Sequence, residues 1–165
     1  MRISNLTVAV AALALSSCGS ETSGTFTTDE GETGEYTIDQ NNGEASMTIE
    51  TPDGAVSMRT GADVPVNLPA GFSLFTGAEI LSNTIIDQEG EIGALVTFTS
   101  VKSPKEIVNF YREEAEAAGI DVQIEADING GKMLGGEGDN GTTFSVSAHP
   151  TEDNTTAQLV ISEQL

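Results

Sequence analysis

The chain has 165 residues, of which 26 are acidic and six are basic, so its formal net charge at pH 7 is −20. A surface this acidic repels nucleic acid and anionic lipid headgroups, which proteins bind through cationic patches, and we therefore exclude nucleic-acid binding. The length suffices for one ordinary domain, and six Phe, two Tyr and no Trp leave most of the core to aliphatic side chains.

The first 17 residues have the pattern of a secretory signal peptide. Arg2 supplies a positive charge, residues 6–15 form an apolar run, and small residues follow. The run is shorter than the roughly 20 apolar residues that a membrane span needs. The alternative is a buried helix of a soluble domain, which the position of the run and the change of composition after residue 18 disfavour.

The end of this leader is more specific. Leu15-Ser16-Ser17-Cys18 resembles the bacterial lipobox, in which an aliphatic residue and two small residues precede a cysteine. The resemblance implies a diacylglyceryl group on the Cys18 sulfur, cleavage between Ser17 and Cys18, and a fatty acyl chain such as palmitate on the new amine. Cys18 is the only cysteine, so it has no disulfide partner in the chain, and the single His lies far away in sequence.

We therefore predict an exported protein whose membrane partner is reached through lipidated Cys18. Gly19 and Ser20 follow the cysteine. The absence of Asp at these positions implies, by the same resemblance, the outer membrane of a Gram-negative bacterium, with the protein facing the periplasm or the surface. Residues 18–35 are rich in Gly, Ser, Thr and Glu, and we predict a lipid anchor followed by a disordered acidic tether. Seventeen flexible residues span roughly 23 Å.

Residues 36–61 alternate between apolar and polar side chains and predict a small β-meander. The separators NNGE (41–44) and TPDG (51–54) have turn chemistry, and the Asn-Gly pair favours a type I′ hairpin. The apolar members of these strands are Tyr36, Ile38, Met47, Ile49, Val56 and Met58.

Residues 64–165 predict the main α+β domain, an antiparallel sheet with one covering helix. An extended connector at 64–74 leads into the domain. The predicted strands cover 79–87, 91–99, 120–127, 142–149 and 156–163. The helix lies within 101–120, with Ser103 as N-cap, Pro104 at its first position, Glu106 completing a capping box and Gly119 ending it. Its apolar stripe consists of Ile107, Val108, Tyr111, Ala115 and Ala118.

LPAGFSLFTGAEI, followed by a strand, SPKEIVNFYREEAEAAGI and further strands, resembles a domain of small bacterial envelope lipoproteins. These proteins show a proline-rich lead, a "PGA" turn and a helix containing "FYR". Here Thr76 replaces the proline of that turn, and Ile120 stands where an aromatic residue is usual. The resemblance covers about residues 64–165. Because its motifs are structural, it implies a fold and a compartment but no active site.

Two glycine-containing segments resemble ligand-binding loops but lack features that such loops require. Residues 136–141 match G-x-G-x-x-G, but a strand-like segment follows them, and Glu137 and Asp139 would repel phosphates. We therefore predict a flexible acidic hairpin loop there. Residues 127–130 resemble the start of a calcium loop, yet Gly138 occupies the position that needs a glutamate. Weak calcium binding by surface carboxylates remains open.

Side chains with catalytic potential are few. His149 is the only histidine and cannot build a zinc site, so we predict a surface residue. A hydrolase that uses His149 with a Ser and an Asp stays as a third possibility. The apolar stripe leaves most of Glu113, Glu114 and Glu116 on the wet face of the helix, so we predict a solvated surface there.

The sequence thus predicts a lipid-anchored cell-envelope lipoprotein with a non-enzymatic structural, accessory or binding role. We predict no catalytic residues, no cofactor and no metal. The alternative is a periplasmic ligand- or cation-binding module that uses the polar sheet face or the 127–141 loop.

Overall fold

The computed structural model describes residues 21–29 and 31–165. The predicted signal peptide, Ser17 and Cys18 therefore lie outside the described residues. The described residues form one α-helix, α1 (Pro104–Ala117), and ten strands. The strands are β1 (Glu21–Thr27), β2 (Thr33–Asp39), β3 (Glu44–Thr51), β4 (Gly54–Gly61), β5 (Glu79–Gln88), β6 (Glu91–Ser100), β7 (Ile120–Ile128), β8 (Gly131–Gly138), β9 (Thr143–Pro150) and β10 (Thr155–Gln164).

All ten strands belong to one antiparallel sheet, in the order β1-β2-β3-β4-β5-β6-β10-β9-β8-β7. The first six strands follow one another across the sheet. The chain then passes through α1 to the opposite edge and returns through β7, β8 and β9 until β10 pairs with β6. The predicted α+β class, with an antiparallel sheet and one covering helix, is confirmed.

The helix begins and ends at the predicted residues. The Ser103 hydroxyl accepts a hydrogen bond from the Glu106 N–H at 3.3 Å, and the Glu106 carboxylate accepts one from the Ser103 N–H at 3.1 Å. The backbone and side-chain hydrogen bonds of Ser103, with a smaller contribution from Lys102, lower the pKa of Glu106. Gly119 follows the last turn with φ +74°, a conformation that side chains other than glycine rarely adopt.

The hydrophobic core lies between α1 and the half of the sheet formed by β6 to β10. Tyr111 and Ile107 of the helix are fully buried against Phe98 and Leu159 of the sheet. The connector between β4 and β5 covers the rest of this surface, and its Phe75 N–H donates to the Tyr111 hydroxyl at 3.2 Å. Burial raises the pKa of Tyr111 far above its usual value.

The tether prediction is wrong over residues 21–27 and 33–35, because β1 and the start of β2 occupy them. The composition is poor in apolar residues, but threonines are frequent and suit strands. Pairing along the whole length of β1 satisfies its backbone groups on one edge, from Glu21↔Asp39 to Thr27↔Thr33. β4 likewise pairs with β5, so residues 36–61 and 64–165 share one sheet.

Two local predictions are also wrong. The 127–141 loop contains β8, whose Leu134 is fully buried and supports a strand despite the surrounding glycines. The turn at 41–44 is not type I′, because that turn needs two positive φ angles and only Gly43 has one, at +71°. The Gly43 N–H instead donates to the Asp39 carbonyl at 2.9 Å, and the Asn42 side chain caps the Glu44 N–H.

Candidate binding surface

The sheet has two sides, which we call the helix side and the far side. Residues directly opposite each other in an antiparallel pair lie on the same side. The buried residues Ala94 and Ile161 define the helix side, and Gly93 and Ser162 next to them lie on the far side. Within the described residues, α1 and the β4–β5 connector both pack on the helix side.

In β1 to β4 the large apolar side chains lie on the far side, opposite to the core, and Ile86 of β5 lies on the same side. One row of paired residues runs Tyr36↔Met47↔Met58↔Ile86 across four strands. A neighbouring row pairs Ile49 with Val56, and Phe26 and Ile38 extend the surface toward the edge of the sheet. We call this surface the far-side patch. It consists of Phe26, Tyr36, Ile38, Met47, Ile49, Val56, Met58 and Ile86.

The patch is only partly shielded from solvent. Ile38 is 43% exposed and Ile86 is 44% exposed, and the other members are half-buried by their neighbours within the sheet. Where a second layer covers strands with the same alternation, the apolar side chains are fully buried, as Val96 and Leu159 are. The far-side patch is therefore an apolar surface without a covering layer among the described residues.

Two aromatic rings hold the edge strand β1 in place. The register pairs Gly24 with Tyr36 and Phe26 with Gly34, so each ring lies over the glycine of the other strand. A Cβ on Gly24 would stand 2.7 Å from the Tyr36 hydroxyl oxygen, and a Cβ on Gly34 would overlap the Phe26 ring. In the sequence, the two segments Gly24-Thr25-Phe26 and Gly34-Glu35-Tyr36 carry this signal, which composition alone does not reveal.

The helix side of β1 to β4 is polar and acidic. Direct pairing places Ser23, Thr37, Ser46 and Arg59 in one row on this side. The acidic side chains of β1 to β4 all share it, and they are Glu21, Glu35, Asp39, Glu44 and Glu50. Among the described residues of β1 to β4, the far side carries no charged side chain. Over β1 to β4 the sheet thus separates an acidic side from an uncharged one.

A shallow concavity of about 340 Å³ lies on the helix side of β1 to β3. Hydroxyl groups and one carboxylate line most of it. The residues concerned are Ser23, Thr25, Thr37, Ser46, Thr48 and Glu35. Its open shape and its hydroxyl lining suit a weakly held polar molecule more than an enclosed catalytic centre.

The predicted surface residues lie where the sequence placed them. His149 is exposed near the end of β9, opposite Thr156 of β10. Glu113 and Glu116 are exposed on α1, whereas the Glu114 carboxylate accepts a hydrogen bond from the Ser73 N–H at 2.6 Å. Glu114 therefore fastens the helix to the connector.

The two rejected ligand loops have structural roles. Gly138 ends β8, and its N–H donates to the Thr142 carbonyl at 2.8 Å across a tight hairpin turn. Asp127 forms an ion pair with Lys132 in the β7–β8 hairpin. In residues 21–29 and 31–165, no three His, Cys, Asp or Glu side chains come together in a way that could hold a metal ion.

One family model matches part of the region that carries the core. A family model described as START domain-like matches residues 80–158, which begin in β5 and end in β10. No curated protein and no solved structure matches the chain. The four strands that carry most of the far-side patch lie outside the matched residues.

Proposed function

We propose that this chain is a lipoprotein of the bacterial cell envelope with a non-enzymatic binding role, anchored through acylated Cys18. Its role is to present the sheet to another molecule. The observation that carries the binding role is the separation of the two sides of β1 to β4, one acidic and one uncharged and apolar. The lipobox-like segment 15–18 carries the anchoring.

The charge separation is informative because the chain is so acidic overall. With 26 acidic side chains in 165 residues, a solvated surface would be expected to carry carboxylates on every exposed strand face. A contiguous apolar surface without charge is the usual property of an interaction site. The far-side patch therefore supports a binding function for β1 to β5.

Anchoring would come from the lipid and not from a helix of the folded part. Within the described residues, no helix has the length and hydrophobicity that crossing a bilayer requires. One acyl chain holds a protein at a membrane only marginally, and two or three hold it stably. The modification that the lipobox implies supplies the stable case, and the outer membrane remains our proposed location.

The direct test is metabolic labelling of cells that express the full chain with a tagged fatty acid. We expect label on the wild-type protein and, by mass spectrometry, a mature N-terminus at acylated Cys18. Cys18→Ala should lose both the label and the cleavage after Ser17. Ser17→Ala is the matched control, because it keeps a small residue before the cysteine and should remain labelled. A wild-type protein without label would refute the anchoring.

A periplasmic ligand-binding module remains the alternative, and the hydroxyl-lined concavity on the helix side of β1 to β3 favours a small polar ligand. For the cation version, the clearest test is calcium titration monitored by heteronuclear NMR. Shifts clustered at Asp127 or in the 136–141 turn below millimolar calcium would support it, and an unchanged spectrum would remove it.

A further inference from the structure

We propose that the far-side patch lies against the surface of the bilayer that holds the Cys18 lipid, so that β1 to β5 rest flat on the membrane. This inference rests on the proposed lipidation of Cys18. It extends that function by naming the lipid bilayer as what the far-side patch contacts. It also assigns the acidic helix side, which points away from the membrane, to the aqueous phase.

Few residues separate the lipid anchor from the folded sheet. β1 begins at Glu21, three residues after Cys18. Three extended residues span at most about 11 Å, so the lipid lies close to the edge strand of the sheet. A tether of 17 residues would have let the folded part clear the headgroups, but the strand β1 occupies most of that segment. The sheet edge is therefore held at the membrane surface.

The distribution of charge determines which side of the sheet faces the lipid. A sheet hinged at its edge strand can turn either side toward the membrane. The helix side of β1 to β4 carries five carboxylates, and bringing them to a lipid surface would remove their hydration without a matching number of cations, since Arg59 is the cation that shares this face. The far side of these strands has no charge to desolvate.

The far-side patch also has the chemistry of a membrane-interface surface. β2 to β5 pair with a neighbouring strand on both edges, so contact with lipid leaves their ladder hydrogen bonds intact, and β1 alone among these strands has one unpaired edge. Phe26 and Tyr36 lie in the two strands nearest the anchor, and aromatic side chains favour the boundary between headgroups and acyl chains. From β1 to β5 the patch extends about 19 Å at the usual strand spacing.

A second copy of the chain fits the same surface less well. After cleavage removes Arg2, each copy keeps 26 acidic and five basic side chains. Two copies packed through their far sides would bring these acidic chains together across the thickness of a sheet pair, about 10 Å, which is comparable to the screening length in physiological salt. A lipid surface without net charge imposes no such repulsion. Self-association is therefore an outcome that the test must distinguish.

The test uses neighbouring residues that point to opposite sides of one strand. Ile38→Cys places a thiol on the far side of β2, and Thr37→Cys places one on the helix side. Because acylation consumes the sulfur of Cys18, the only native cysteine, each variant has one thiol to label with a fluorophore. The acylated proteins are reconstituted into phosphatidylcholine vesicles. They are then exposed to an aqueous quencher or prepared with lipids that carry a quencher in the acyl region.

The inference predicts that the Ile38→Cys label is shielded several-fold from the aqueous quencher and is quenched by the lipid. The Thr37→Cys label should show the opposite behaviour. Ile86→Cys and Asp87→Cys repeat the comparison on β5, at the far end of the patch, with side chains that are already exposed. This second pair keeps the test valid if a substitution in β2 disturbs the strand.

Three results would overturn the inference. Equal aqueous quenching on both sides would show that the sheet stands free of the membrane while the anchor holds. Far-side shielding that disappears as the protein is diluted among the vesicles, without quenching by lipid, would indicate a second copy. A second label on Cys18 would show an unmodified sulfur, in which case the proposed lipidation fails as well.

Discussion

Two halves of one sheet use the same alternation of apolar and polar residues with different results. In β6 to β10 the apolar side faces α1 and the connector, and side chains such as Val96 and Ile161 are fully buried. In β1 to β4 the apolar side is the opposite one and stays half-exposed. Alternation therefore shows that a strand has two different sides, but burial depends on what packs against one of them.

The comparison is sharpest for two isoleucines, and it gives the largest expected effect. Ile161→Ala in β10 should lower the free energy of unfolding by about 2–5 kcal/mol, because it leaves a cavity in the core. Ile49→Ala in β3 should cost less than about 1 kcal/mol, since its side chain is only half-buried. Urea unfolding of both variants measures the difference. Equal losses would mean that the far-side patch belongs to a packed core.

The attachment of the connector to α1 should also be a strong determinant of stability. Tyr111→Phe leaves the buried Phe75 N–H without its acceptor, and we expect a loss of about 1–3 kcal/mol. The measurement is again urea unfolding, at neutral pH. A loss no larger than that of Ile49→Ala would show that this hydrogen bond contributes little to the core.

The same tyrosine predicts alkaline sensitivity. Burial raises the pKa of Tyr111, so above about pH 10 the unfolded chain loses this proton while the folded chain keeps it. Stability should then fall as pH rises, by up to about 1.4 kcal/mol per pH unit from this group. Tyr111→Phe should remove this part of the slope. An unchanged slope would assign the alkaline loss to other groups.

Helix capping should have an intermediate effect. Ser103→Ala removes the hydroxyl that accepts from the Glu106 N–H and should cost about 1 kcal/mol. Thermal unfolding should show a lower midpoint, and Ser103→Asn, which restores a capping acceptor, serves as the control. A midpoint that Ser103→Ala leaves unchanged would show that the packed stripe alone holds α1.

The smallest expected effect on global stability concerns the edge strand β1. Gly34→Ala forces the Phe26 ring off its site, so the β1 amides should exchange with solvent faster while the exchange of β6 and β10 stays unchanged. Gly93→Ala is the matched control, because its new Cβ would meet only the Ile161 carbonyl oxygen at 3.7 Å. Unaltered exchange in β1 would show that the ring–glycine pairs do not hold this strand.

Much of the fold follows from local sequence signals. The capping box and the glycine after the last turn predict α1 because they satisfy the backbone groups at its two ends. β8 was missed because Gly131, Gly135, Gly136 and Gly138 resemble a loop. At Gly136 the glycine is instead required by the close approach of the Asp121 backbone, and only the folded sheet shows that contact.

The candidate surface could be predicted only in part. The alternating residues of β2 to β4 were identified from the sequence, but their side relative to α1 depends on pairing across β5. A bulge between Ile80 and Ser82 changes the phase of β5, so Ile80 and Asn83 both face the helix side. No periodicity within β2 to β4 encodes that shift. The sequence therefore predicted which residues of β2 to β4 share a side, but not that this side is left uncovered.

The most direct test places one new charge on either side of β3 and follows a single reporter. In the acylated protein on phosphatidylcholine vesicles, a fluorophore on Ile86→Cys reports contact of the far side with lipid. Met47→Glu should abolish its shielding from an aqueous quencher, whereas Thr48→Glu, one residue away on the acidic side, should leave the shielding intact. Equal shielding in both variants would contradict the assignment of the far side to the membrane.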